Sequence, residues 1–327
     1  MKKQSRASDH YRRGKELMVA ALGGGTGLST LLRGLKNYTT RLAAIVSVAD
    51  DGGSSGRLRE NLGMLPPGDI RNCLLALANT EPLLEQVFQH RFQTGEGLAG
   101  HNLGNLFLAA LTEEFGFEKA IRVASRVLAV RGEVLPVTLA ELNLVAELTD
   151  GRIIYGQSSI PQAGGTIKKL SLEPAEAEIY PAARKAILAA QLVIVGPGSL
   201  YTSILANLLV PGVVQALRAT TAHKIYVCNV MTQRGETDNY SAADHLRVLE
   251  QHVGKGLFDT VLINNNLQIP APLLQKYAAE GAVPVQPDVW RLQKMGVRVV
   301  ACDLLSQEEL VRHDPKKLAT AIFTEIL

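Results

Sequence analysis

Apolar residues fall into two rhythms along the chain. Short unbroken runs of four to seven residues mark buried strands, and residues spaced i, i+3, i+4, i+7 mark amphipathic helices. Leu17 to Leu22 is a run of the first kind. A turn follows at Gly23-Gly24-Gly25-Thr26-Gly27, and then Leu28, Leu31, Leu32 and Leu35 set out one helical face. Leu42 to Val48 is the next strand-like run and ends in Asp50-Asp51. Leu192 to Val195 begins a second unit of the same design, with a turn at Gly196-Pro197-Gly198-Ser199 and a helix from Tyr201 to Leu209. Further strands are expected over 224–230, 260–263 and 297–305, and helices over 118–129, 182–190 and 242–253. Strands alternating with helices predict an α/β fold with a mostly parallel sheet flanked by helices. Residues 134–172 break that rhythm. Val134 to Val137, Leu144 to Leu148, Arg152 to Gly156 and Ile167 to Leu172 are short strands, with Asp150-Gly151 as a hairpin turn. A small β-rich insertion over 134–172 is expected.

Both strand–glycine–helix units suggest anion binding. A helix start carries N–H groups with no intrahelical acceptor, and a glycine turn lets a phosphate approach them. Gly24, Gly25, Thr26 and Gly27 are therefore candidate ligand contacts, as are Gly196, Gly198 and Ser199. Loops that follow parallel strands share one edge of the sheet, so the two units could hold a diphosphate between them. The first loop matches neither common phosphate-loop signature, because Leu28 replaces a third glycine and no lysine follows. Asp50 or Asp51 could accept from a ribose hydroxyl or, in a transferase, hold Mg²⁺. The next loop, Gly52 to Arg57, adds Ser54, Ser55 and Arg57. Asp69 can cap the helix after Pro66-Pro67-Gly68, with Asn72 one turn on. His101 and Asn102 stand before a helix expected to open at Asn105. Asn264-Asn265-Asn266 ends a strand. Asn265 and Tyr277 are candidates for the base or sugar end of a ligand, and Arg312 for a phosphate.

Composition narrows the functional class. The chain has 327 residues, 46% of them apolar, enough for a large core. Its net charge of +3 is uneven. Residues 1–15 carry six cations against Asp9, and the rest is close to neutral. A basic, disordered extension over 1–15 and an α/β domain over 16–327 are expected. With 5% aromatics and no basic stripe, nucleic acid is not an expected partner. Three scattered cysteines suit a reducing cytoplasm, and no run is long enough for a membrane span.

Taken together, the glycine loops, Val48 to Gly56, Pro67 to Asn72, Gly100 to Asn105, the Thr232 to Asp238 loop and Arg312-His313-Asp314-Pro315 resemble the CofD-like family. Within it they resemble the gluconeogenesis factor (YvcK-type) branch, over residues 17–327. The resemblance implies a Rossmann-like fold and a nucleotide-sugar ligand, UDP-N-acetylglucosamine (UDP-GlcNAc), with other nucleotides such as NAD as further candidates. It implies a cytoplasmic regulator of cell shape and wall synthesis during growth on gluconeogenic carbon sources, acting through a wall or morphogenesis protein, and a homodimer is expected. No catalytic cofactor is expected. The alternative carried by the enzymes of the superfamily is a 2-phospho-L-lactate transferase acting on a deazaflavin, with Mg²⁺.

Overall fold

The structure, a computed structural model, describes residues 16–79, 82–306 and 310–326. The basic stretch 1–15 lies outside the described residues. The chain opens with β1 (Val19–Gly23), α1 (Gly25–Leu35), β2 (Leu42–Val46), α2 (Gly53–Leu62) and α3 (Gly68–Leu77). Next come α4 (Pro82–Gln89), α5 (Leu103–Phe115), α6 (Phe117–Val127) and β3 (Glu133–Pro136). β4 (Asn143–Leu148), β5 (Ile153–Tyr155) and β6 (Ile167–Glu173) precede α7 (Pro181–Ala189) and β7 (Leu192–Val195). A π-wound turn, Leu200–Leu205, runs into α8 (Ala206–Leu208), followed by α9 (Val213–Ala219) and β8 (His223–Val227). The described chain ends with α10 (Ala242–Val253), β9 (Thr260–Asn264), α11 (Ala271–Ala279), α12 (Val289–Lys294), β10 (Arg298–Cys302), α13 (Pro315–Ala321) and a π turn, Ile322–Ile326.

Seven strands form one sheet in the order β10-β9-β8-β7-β1-β2-β3, and every neighbouring pair is parallel. The Rossmann-like expectation is met. β1 explains the unbroken apolar runs: Ala20 and Leu22 face one core, while Val19 and Ala21 face the other. A strand buried on both faces has no polar side to show. The order reverses at β1. β2 and β3 extend to one side and β7 to β10 to the other, so the crevice of the sheet lies at the carboxyl ends of β1 and β7.

The β-rich insertion is smaller than the sequence suggested. Glu133–Pro136 pairs in parallel with β2 as the edge of the main sheet, and only β4, β5 and β6 form the separate antiparallel sheet. A four-residue apolar run has no period that separates a parallel edge from a hairpin strand. The expected strands over 224–230 and 297–305 are also shorter, ending at Val227 and Cys302. Among the described residues no single helix is long and apolar enough to cross a membrane.

Candidate functional site

β1 delivers its chain directly into α1. Gly24 is extended, and Gly25 is the first helical residue, with no side chain capping it from the N-cap position. The N–H groups of Gly25, Thr26 and Gly27 thus lack intrahelical acceptors. The two glycine units meet here. A Cβ on Gly27 would collide with the Pro197 carbonyl, and one on Gly198 would lie 3.6 Å from the Gly24 carbonyl oxygen. Between them opens a cavity of about 400 Å³, walled by Gly24 to Gly27, Asp50, Asp69, Pro197 to Ser199, Asn229, Gln157 and Val311 to His313.

Asp69 does not cap its own helix. Pro67 holds the N-cap position of α3, and Asp69 sits in the first turn. Its carboxylate accepts from the Gly25 N–H, and a Cβ on Gly24 would come within 2.6 Å of it. Burial, then the charge of Asp50, push the Asp69 carboxyl up to about 7, against the pull of the Gly25 N–H and Arg71. Asp50 accepts from the Gly52 N–H at 3.1 Å and faces the same cavity.

The second glycine unit is wired differently from the expectation. Gly198 N–H donates to Asn229 Oδ1 at 3.0 Å, and the Tyr201 N–H donates to Glu236 at 3.3 Å. The Thr202 hydroxyl donates to the other Glu236 oxygen at 2.9 Å. A buried protein carboxylate already occupies the start of the second helix, so the expected double anion site is corrected to a single one at α1, where Asp69 takes the Gly25 N–H and the Thr26 and Gly27 N–H groups have no acceptor among the described residues. Glu236 and Asn229 both follow β8: Glu236 lies in the Thr232 to Asp238 loop, noted in the sequence only as part of the resemblance, and Asn229 fell inside the strand expected over 224–230. Gln233 joins the set, donating to Ser199 Oγ at 2.7 Å.

Two further segments complete the wall. Gln157 comes from the insertion, positioned by Asp51, whose carboxylate accepts from the Gln157 N–H at 2.7 Å and the Ser158 N–H at 2.8 Å. Asp51 is therefore spent on holding a loop and is removed as a ligand or metal candidate. Arg312 lies on the wall, exposed, with no ion pair among the described residues. Its neighbour His313 is buried, pushed down to about 4 by that burial, and its Nε2 has no partner among the described residues. Sequence reasoning missed Gln157, Asn229, Gln233 and His313. Gln233 and His313 stood in noted motifs, the Thr232 to Asp238 loop and Arg312 to Pro315; Gln157 and Asn229 did not.

Several other candidates lie outside the cavity and have structural roles. Ser54 contacts His101 Nδ1 at 3.0 Å and accepts from Asn105 Nδ2 at 3.0 Å. Asn102 caps α5, which starts at Leu103 rather than at Asn105, and accepts from the Gly104 N–H. Ser55 accepts from the Gly68 N–H at 3.2 Å, and Asn72 accepts from Arg71 at 2.8 Å. Gly196 packs under the Val227 carbonyl. Asn265 is exposed and donates to the Ala301 carbonyl. The Tyr277 hydroxyl accepts from the Val311 N–H at 3.2 Å, so this ring supports the Arg312 loop from outside the cavity. Arg57 donates to the Ala99 carbonyl on another face.

The family model for 2-phospho-L-lactate transferase CofD matches residues 19–305. A gluconeogenesis factor from Bacillus subtilis is 50% identical over 311 residues, which covers 94% of this chain and 98% of the relative. A gluconeogenesis factor from Halalkalibacterium halodurans is 49% identical over 310 residues, 94% of this chain and 96% of the relative. A crystal structure of a UPF0052-family protein from Bacillus halodurans superposes with a TM-score of 0.91 at 48% identity, covering 94% of this chain and 99% of that one. Fold, motifs and relatives agree, and the chain belongs to the CofD family, in its gluconeogenesis-factor (UPF0052) branch.

Proposed function

We propose that the cavity at the ends of β1 and β7 binds a nucleotide sugar, UDP-GlcNAc, and that the protein is a regulator reading that ligand. The observation that carries the reading is the placing of one helix start, whose Thr26 and Gly27 N–H groups have no acceptor among the described residues, and the guanidinium of Arg312, which has no ion pair among them, on the wall of one cavity. Helix start and arginine both favour phosphate oxygens. The remaining wall is rich in amides and hydroxyls, including Gln157, Asn229, Gln233 and Thr30, which suits a sugar and a base edge. The output proposed is control of cell shape and wall synthesis on gluconeogenic carbon, in the cytoplasm, through a morphogenesis protein and as a homodimer. The test is calorimetry with UDP-GlcNAc on the wild type and Arg312→Ala. Micromolar binding that weakens at least tenfold in the variant is expected. Absence of binding in the wild type would end the reading.

A second reading rests on the two carboxylates. Asp50 and Asp69 face one cavity with coupled charges, a donor set that fits a hard divalent cation. In a transferase of the 2-phospho-L-lactate type these two would hold Mg²⁺, which would offset phosphate charge. Product formation from a deazaflavin acceptor and activated phospholactate, lost in Asp50→Asn, would select this reading.

A further inference from the structure

Arg57, displaced from the cavity, lines a second depression of about 610 Å³. Its floor is backbone, at Gly53, Gly56 and Gly100. Arg57 reaches it from α2 and donates from Nη2 to the Ala99 carbonyl at 2.8 Å. Arg91 reaches it from the segment after α4 and donates from Nη1 to the Gly100 carbonyl at 2.6 Å. Adjacent carbonyls thus hold two guanidinium groups at one place, each with most of its donors unused. Among the described residues neither arginine forms an ion pair. Two carboxylates also line the depression. Asp51 is committed to the Gln157 and Ser158 N–H groups, and Glu60 is exposed and beyond ion-pair distance of both arginines.

Two like charges fixed side by side repel each other. Asp51 and Glu60 keep their charge, but neither is within ion-pair distance of either guanidinium among the described residues, and an anion seated between the two forks removes the repulsion directly. We infer that this depression is a second anion site, formed by Arg57 and Arg91, that takes the dianionic phosphate group of a small phosphomonoester. A carboxylate satisfies one fork, whereas a phosphate presents three oxygens to two forks. At Gly53, where a Cβ would meet nothing within 4 Å, the group can approach the backbone. His101, one residue beyond Gly100, senses the pair: its ring is held below the ordinary histidine range first by burial, then by the charges of Arg57 and Arg91. The site is separate from the proposed nucleotide-sugar cavity and stands or falls independently of it.

The experiment is a titration with inorganic phosphate at constant ionic strength, followed at the ring signals of His101 in histidine-labelled full-length protein. A saturable shift is expected in the wild type, with the His101 pKa raised as phosphate offsets the arginine charge. Arg91→Gln, on the exposed rim, should weaken the phosphate midpoint about tenfold, and the pair Arg57→Gln with Arg91→Gln should abolish saturation. UDP-GlcNAc should neither displace the phosphate nor lose affinity in Arg91→Gln. If chloride reproduces the shift, or if Arg91→Gln titrates like the wild type, there is no such site. Should the double variant fail to fold, Arg91→Gln alone decides.

Discussion

Glu236 Oε1 accepts a hydrogen bond from the Thr202 hydroxyl at 2.9 Å, with both residues buried. Its other oxygen accepts from the Tyr201 N–H, so the carboxylate closes the helix start that the second glycine turn would otherwise present. Removing it strands buried donors. Glu236→Ala should lose roughly 1–3 kcal/mol of stability, read by urea denaturation. Sulfate should restore part of that loss by entering the vacated helix start, and a variant indifferent to sulfate would show that the turn has no anion affinity of its own.

His313 makes stability depend on pH in a defined window. Its folded pKa is pushed down to about 4 by burial, from an ordinary value of 6.5. The folded state resists the proton, so the unfolded chain binds more protons between those values and stability falls as pH drops from 6.5 toward 4. The shift sets a ceiling of roughly 3 kcal/mol on this loss. Denaturation midpoints at pH 7.5 and 4.5 should converge in His313→Gln relative to the wild type. An unchanged acid slope in the variant would assign the loss to other groups.

Asp51 touches no part of the cavity, yet it should affect binding. Its two backbone acceptances position Gln157, the insertion's contribution to the wall. Asp51→Ala should lose roughly 1–3 kcal/mol and speed amide exchange at Gln157 and Ser158. UDP-GlcNAc affinity should fall several-fold while Leu144 to Leu148 stays protected. Equal exchange rates in variant and wild type would show that the loop is held by other means.

Gly27 is a matter of space. A Cβ there meets the Pro197 carbonyl, which is backbone and cannot step aside as a flexible side chain would. Gly27→Ala should cost about 1–3 kcal/mol and separate the two glycine turns, lowering the melting temperature and the nucleotide-sugar affinity together. Gly63→Ala has open space at its Cβ but a φ of +60°, so only backbone strain acts and affinity should hold.

The main sheet was legible because its inner strands, such as β1 and β7, are buried on both faces and so appear as unbroken apolar runs. The order of those strands was not, since pairing partners such as β1 and β7 are far apart in sequence and leave no local mark. At the site, Gly24 to Gly27, Asp50, Asp69 and Arg312 were marked by turns and helix starts. Residues that hydrogen-bond within the protein could not be told from residues that face a ligand. Ser54, His101 and Asn102 have the chemistry of ligand contacts but use it on one another and on nearby backbone. Gln157 could not be read at all, because its position depends on how an insertion folds back.

Gly34 lets α13 lie against α1 so closely that a Cβ at that glycine would strike the Pro315 carbonyl. The contact is sealed by Tyr38, stacked on Phe323 at 4.5 Å and hydrogen-bonded to Thr320 at 3.0 Å. The helix that aims its first turn at the ligand is thus braced at its far end by residues the ribosome adds some three hundred positions later. Until those arrive, the leucines of α1 have no cover on that side. A nascent chain should therefore gain a competent pocket late, after almost all of its sheet has been synthesised.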